Sequence, residues 1–190
     1  MTTIQDRFQQ ARIEPDPCSP HSLLPGFAEP RWYVAQTCAR HEKRVAEHLG
    51  CRGIEYLLPL YEKVSRWKDR RVHLQLPLFA GYIFVRLPLC ERLRVLQVPS
   101  ITRLVGFGGM PVPVPAEEIR AVQSGLASRV QLEPHPFLTV GRHVQIKSGP
   151  LAGFQGILLR KKGSYRLVLS VELIQRSIAV DVDASDIDVG

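Results

Sequence analysis

Cys38-x-x-His41 and His48-x-x-Cys51 carry the side chains of a zinc site at zinc-like spacing. Both pairs fall on what reads as a single helix, over residues 39–51 with Cys38 at its start. A helix rises about 1.5 Å per residue, which separates Cys38 from Cys51 by roughly 20 Å, too far for one ion. No metal is expected. Cys38 and His41 are also near neighbours of the thiol–imidazole kind, but nucleophilic catalysis needs an orienting third group and an oxyanion site. Neither is evident, so the sequence points to no catalytic residue, no enzyme and no cofactor. The stronger chemistry is electrostatic. On a 100° wheel Arg40, His41, Arg44 and His48 fall opposite Val45, Leu49 and Cys38. Such a stripe is either a solvated face or a set of cations that meets phosphates without reading sequence. The segment Arg66-Trp67-Lys68-Asp69-Arg70-Arg71 adds further cations, with an indole able to stack on a base. Just beyond it runs Leu78-Phe79-Ala80-Gly81-Tyr82-Ile83-Phe84-Val85, short, aromatic and β-branched, the pattern of a central strand.

The elements that must position these groups follow from punctuation and periodicity. Residues 1–29 hold Pro15, Pro17, Pro20 and Pro25 and little apolar periodicity, and read as a flexible leader. Trp32–Thr37 is predicted as a first strand, followed by the helix over 39–51, which stops near Gly50 or Gly53. A second strand is expected over Ile54–Leu60, interrupted at Pro59. Tyr61–Trp67 and Val72–Leu76 read as the arms of a hairpin, Gly81–Leu87 as the central strand, Leu89–Val98 as a short helix and Thr102–Val105 as a further strand. Pro115 suits the first turn of a third helix, with Glu117 and Glu118 favourable against its dipole. Along the central strand Tyr82 and Phe84 point to one face, Ile83 and Val85 to the other.

Residues 131–138, with Pro134 and Pro136, read as a linker. From 139 to 190 only short strands with glycine-rich turns follow: Val144–Ile146, Gly156–Arg160, Tyr165–Val171 and Ile178–Val182, with a hairpin turn at Lys161–Ser164. The fold class is therefore α+β. An α/β sandwich over 30–130, an antiparallel-type sheet flanked by helices, precedes a small β-barrel.

Length and composition agree with this division. A chain of 190 residues, 45% hydrophobic and 23% charged, is long enough for two small cores. The formal charge of +7 favours an acidic partner such as nucleic acid. No stretch is long and apolar enough to span a bilayer, and the first ten residues lack an apolar signal core, so a cytoplasmic protein with no membrane partner is expected. The four cysteines, at 18, 38, 51 and 90, form no CxxC pair and are expected as reduced thiols.

The motifs, taken in order, resemble the NusG family of bacterial transcription elongation factors. The similar segments are Trp32-Tyr33-Val34, Glu42-Lys43-Arg44-Val45-Ala46, Phe79-Ala80-Gly81-Tyr82-Ile83-Phe84-Val85, Val105-Gly106-Phe107-Gly108-Gly109 and Pro113-Val114-Pro115-Ala116-Glu117-Glu118-Ile119. Val144-x-Ile146-x-x-Gly149-Pro150-x-x-Gly153-Phe154-x-Gly156 looks like a KOW motif. The resemblance implies an N-terminal NGN domain that binds the β′ clamp helices of RNA polymerase through Phe79 and Tyr82, with Trp32 and Phe84 beside them. It implies a C-terminal, SH3-like KOW barrel that recruits a ribosomal small-subunit protein or the termination factor Rho, with Phe154 and Ile174 as its partner-binding residues. Arg44 and His48 match positions that RfaH-like paralogues turn toward non-template DNA; Arg40, Arg66, Trp67, Arg70 and Arg71 would extend that surface.

Three segments, His41–Ala46, Gly53–Pro59 and Arg66–Arg70, look closest to specialised paralogues of the UpxY and RfaH kind, which implies an operon-specific antiterminator acting as a monomer. The alternative within the family is a housekeeping factor coupling polymerase to Rho or the ribosome. Two departures stand out. Ala80 occupies a position where the family usually has proline, and the polymerase β gate-loop contact of the paralogues has no clear counterpart around Leu93 and Arg94. A rival from another class, a KOW-type RNA-binding module of ribosomal character, would concentrate basic charge in the barrel; instead Asp181, Asp183, Asp186 and Asp188 follow Arg176 with no further Lys or Arg. The sequence leaves open whether the barrel docks on the NGN domain or refolds as a helical hairpin, Leu167–Ile174 being compatible with strand or helix.

Overall fold

The computed structural model describes residues 27–67, 70–128, 132–138, 141–149, 151–161, 164–183 and 186–188. Residues 1–26, and with them most of the expected leader, lie outside the described residues.

The first sheet is built on two strands whose alternation is apolar on both sides. β1 (Arg31–Thr37) pairs antiparallel with β5 (Tyr82–Leu87), with Val34 opposite Phe84 and Gln36 opposite Tyr82. β2 (Glu55–Leu57) flanks β5, and β6 (Ile101–Leu104) flanks β1, giving the order β2-β5-β1-β6. Tyr33, Ala35, Ile83 and Val85 point to one face, where they pack against α1 (Glu42–Cys51) and α2 (Arg92–Leu96) through Val45, Leu49 and Val95. Val34 and Phe84 point to the other face, toward Ile119 and Val122 of α3 (Ala116–Ala127). A strand buried on both sides needs apolar residues at successive positions, which is why the run at 82–85 shows no polar alternation.

Between β2 and β5 lies a long two-stranded arm, β3 (Leu60–Trp67) with β4 (Arg70–Pro77), in register from Leu60 opposite Pro77 to Trp67 opposite Arg70. The strand expected over 54–60 is therefore two strands divided at Leu58 and Pro59, while the hairpin stands where predicted. The expected helix over 89–98 is shorter: a 3₁₀ turn over Leu89–Glu91 leads into α2. A small hairpin, β7 (Gly106–Phe107) with β8 (Met110–Pro111), then connects to α3, where Pro115 stands at the N-cap, just before the first turn expected for it.

Helix α1 begins three residues later than the sequence suggests. Arg40 adopts φ 65°, the left-handed region that stops a right-handed helix from starting before it. Arg40 thus leaves the basic stripe, and Cys38 is exposed rather than on the buried side. The helix ends as expected, with Gly53 at φ +66° just past its C-cap. The expectation of reduced thiols holds for Cys38 and Cys51 and fails for Cys90, which is buried and disulfide-bonded. Spacing along the chain carries no information on which sulfurs meet in space.

The C-terminal unit is a six-stranded antiparallel sheet, ordered β14-β10-β11-β12-β13-β9. Its strands are β9 (Leu132–His135), β10 (Arg142–Ile146), β11 (Gln155–Lys161), β12 (Ser164–Val171), β13 (Arg176–Val182) and β14 (Ile187–Asp188). Part of the segment read as a linker is therefore a strand. β9 takes an edge position against β13, where prolines cost no ladder hydrogen bond on the solvent side. Two contacts hold it: Leu132 is buried against Gly125 of α3, and Glu133 pairs at 3.0 Å with Arg166, which also bonds Asp181 at 2.6 Å.

The two units share a core. Val34, Phe79, Phe84, Ile119 and Val122 belong to one buried cluster with Val144, Leu167, Leu169, Val171 and Ile178 of the barrel. Ile157, Val168 and Ala179 form a separate cluster on the opposite face of β12 and β13. The barrel is docked as β structure, so Leu167–Ile174 forms strand and 3₁₀ turn here rather than helix.

Candidate functional site

The aromatic segment expected to meet a partner is a pinned turn. The Tyr82 amide donates to the Phe79 carbonyl at 3.1 Å, and Gly81 sits at φ +83°, the third position of a turn that demands positive φ. The Gly81 amide donates to Glu42 Oε1 at 2.7 Å, and its carbonyl accepts the Thr37 amide at 2.8 Å. The turn is thus tied to α1 on one side and to β1 on the other. A carboxylate accepting a backbone N–H is among the stronger hydrogen bonds available to a protein. Glu42 is itself buried, so that bond is shielded from water.

The four aromatic residues expected at the interface divide into two pairs. Phe79 and Phe84 are 1% and 0% exposed and meet edge to face, with ring centroids 5.5 Å apart at 85°. They form a floor and present no surface. Tyr82 and Trp32 are half-buried against the same cluster and lie on the sheet face that carries Phe84. Beside Tyr82 a cleft of about 920 Å³ runs between the start of α1, the base of the hairpin and the barrel, lined among others by Arg40, Lys43, Tyr61, Gln75 and Arg176. Arg40 thus lines the same cleft as Tyr82, a cleft whose lining includes neither Arg44 nor His48.

Those two remain together, one turn apart on α1, Arg44 exposed and His48 half-buried. The other basic group stands at the far end of the hairpin, where Arg66 faces Arg71 and Trp67 faces Arg70 across the ladder. Arg66, Arg70 and Arg71 are exposed. The Trp67 side chain, Lys68 and Asp69 lie outside the described residues. Among the described residues none of Arg40, Arg44, Arg66, Arg70 and Arg71 enters an ion pair, so their charge is available to an anion.

In the barrel the glycine-rich loop has the geometry its spacing suggests. Gly149 and Gly153 take φ +82° and +86°, the Gly153 amide donates to the Ile146 carbonyl at 2.7 Å, and a Cβ on Gly156 would lie 2.7 Å from the Val168 carbonyl oxygen. Pro150 lies outside the described residues. Phe154 is half-buried in a second cleft between the barrel and α3, and Ile174 is buried in the shared core, so neither is freely presented in the docked form.

Sequence reasoning missed Glu42 and Glu118. Each carried the same signal: a carboxylate on the buried stripe of its helix. Glu42 is spaced with Val45 and Leu49, Glu118 with Ala121, Val122 and Gly125.

Comparison with known proteins decides the family. A family model for the transcription termination factor nusG matches residues 30–123. The chain is 30% identical over 178 residues to the transcription termination/antitermination protein NusG of Yersinia pestis, covering 84% of this chain and 96% of that protein. The chain belongs to the NusG family. The NusG of Vibrio vulnificus is similar at 29% identity over 175 residues, covering 83% of this chain and 94% of the relative. Among solved structures, one of Thermotoga maritima NusG, on domain interaction in that protein, aligns with a TM-score of 0.55 at 23% identity, over 86% of this chain and 99% of that one. That likeness supports the α+β fold. Among the described residues no helix is long and apolar enough to cross a membrane, and no three His, Cys, Asp or Glu side chains are placed to hold a metal ion.

Proposed function

We propose that this NusG-family chain binds RNA polymerase through the surface around Tyr82 and suppresses pausing and termination on particular operons. The observation that carries this reading is the pinned turn at Phe79–Tyr82. It holds a half-exposed tyrosine on a rigid support, with Phe79 and Phe84 packed beneath it and Trp32 on the same face. A preorganised aromatic on a rigid frame is what an interface anchor requires. The partner would be the clamp helices of the β′ subunit. Holding the clamp closed needs only that the factor bind the closed state better than the open one.

The same reading gives the free cations a role. Arg44 and His48 on α1, with Arg66, Arg70 and Arg71 at the hairpin end, would meet the phosphates of the non-template strand. Phe154 and Ile174 would meet a second partner, a ribosomal small-subunit protein or Rho, once the barrel leaves α3. The segments His41–Ala46, Gly53–Pro59 and Arg66–Arg70 favour the operon-specific branch.

Capture of the chain by immobilised β′ clamp helices tests the interface. Tyr82→Ala should weaken binding by about tenfold or more, the effect of losing an interface anchor, while leaving the thermal midpoint within a few degrees. Undiminished binding by that variant would remove Tyr82 from the interface. Phe79→Ala is a poor test, because emptying a fully buried aromatic site costs about 3–5 kcal/mol of stability. Pause assays in vitro, on templates with and without the native operon leader, separate the operon-specific factor from a general one. Equal suppression on both templates would favour the housekeeping reading.

A further inference from the structure

The boundary between α3 and the barrel contains a carboxylate in an unfavourable place. Glu118, in the first turn of α3, borders a cleft of about 750 Å³ whose far wall is the barrel. Its Oε2 is buried and has no hydrogen-bond partner. The charged groups of the cleft are Glu117 and Arg120 on the helix and Glu172 on the barrel. Arg120 does not contribute to the Glu118 shift and forms no ion pair with it among the described residues; its Nε donates to the Ala116 carbonyl at 3.3 Å. From the barrel, Glu172 opposes Glu118 with like charge, and only its backbone N–H favours the ionised form. The remaining wall is Phe154, Gln155, Leu169, Ser170 and Val171, all uncharged.

Burial, reinforced by the charge of Glu172, pushes the Glu118 carboxyl up from 4.5 to about 7 in the docked form. Undocking would expose this face of α3 to water and return the group toward its ordinary range.

We propose that Glu118 is a proton-operated latch between the two domains, holding the barrel on α3 when neutral and loosening it when ionised. The sign follows from linkage. A group whose pKa is raised in the docked form takes up a proton on docking, so docking strengthens as pH falls through about 7 and weakens above it. Between pH 8 and pH 6 the docked-to-undocked ratio should rise on the order of tenfold. The latch rests on the docking seen in the structure. Its consequence, that proton release frees the Tyr82 face, rests on the polymerase reading above.

The test uses the intact chain without polymerase, so failure of the polymerase reading leaves its result unaffected. The docked and undocked populations are followed through the amide NMR signals of α3 and β12 between pH 8 and pH 6. The wild-type ratio should rise about tenfold as pH falls. Glu118→Gln, an uncharged isostere, should hold the low-pH ratio across the range. Glu172→Gln should move the midpoint to lower pH, and Glu117→Gln, which removes an exposed carboxylate of the cleft that does not contribute to the Glu118 shift, should leave the profile unchanged. A wild-type ratio that does not change with pH, including a chain docked throughout, overturns the latch. So does a Glu118→Gln variant that keeps the pH dependence, or a Glu117→Gln variant that abolishes it.

Discussion

Glu42 shows how one side chain links a helix to an interface candidate. It is acidic, buried, and bonded to a single backbone amide, that of Gly81. Removing it would leave that amide without its partner while the turn must still adopt positive φ. Glu42→Ala should therefore cost about 2 kcal/mol, the range of a hydrogen bond to a charged group, whereas Glu42→Gln, which keeps an acceptor, should cost about half as much. Urea denaturation of the three proteins checks this, and an Ala variant within about 0.5 kcal/mol of wild type would mean that the bond contributes little. The same residue type at the start of α3 has the opposite situation. Glu118 has no partner for one oxygen, and burial, reinforced by the charge of Glu172, raises its carboxyl to about 7.

The element that matters most is the turn entering β5. A Cβ added at Gly81 would touch nothing within 4 Å, so the cost of a side chain there is purely conformational. Gly81→Ala should lower stability by about 1–2 kcal/mol, the penalty of the left-handed region. The neighbouring position predicts the reverse. Ala80 precedes Gly81 at the second place of the turn, where proline fits, and Ala80→Pro should add roughly 0.5 kcal/mol by restricting the unfolded chain. Thermal unfolding should show midpoints moving in opposite directions for the two variants. A fall for Ala80→Pro would mean that the turn has another geometry. β9 shows a different rule, since two prolines concealed a strand that the buried Leu132 and the Glu133–Arg166 pair secure at a sheet edge.

At the scale of the whole molecule, the placement of charge and of the barrel sets the expected behaviour. The exposed arginines Arg66, Arg70 and Arg71 stand at the end of an arm and Arg44 on α1, apart from the shared core that holds the barrel. Binding to a single-stranded DNA oligonucleotide should therefore depend on salt in proportion to the phosphates met. Arg66→Ala with Arg71→Ala should reduce the slope of log K against log salt by about 1.4, at roughly 0.7 per contact. Arg44→Ala with His48→Ala should weaken the same binding, and an unchanged slope and affinity in both doubles would leave these cations as solvated surface. The Tyr82 face differs in kind. On the proposed polymerase reading the partner would compete with the barrel for it, and apparent affinity would be scaled down to the fraction of molecules in which the barrel has moved away.

Local pattern was enough for much of this protein. The alternation of Tyr82–Val85, the Pro115 cap, the glycine at the end of α1, the hairpin and the barrel strands follow from steric and periodic rules that act within a few residues, and the ordered motifs carried the family. Local pattern could not say that Arg40 turns left-handed and leaves its helix face, that β9 joins a sheet, or that Cys90 is bonded. Nor could it say that Glu42 and Glu118 meet such different surroundings, because burial and pairing are properties of segments far apart in sequence. The basic and aromatic residues that could do chemistry were visible from the chain alone. Which of them form a floor, which stand free and which lie beneath the barrel was decided by packing, since a side chain's exposure depends on what the rest of the chain places above it.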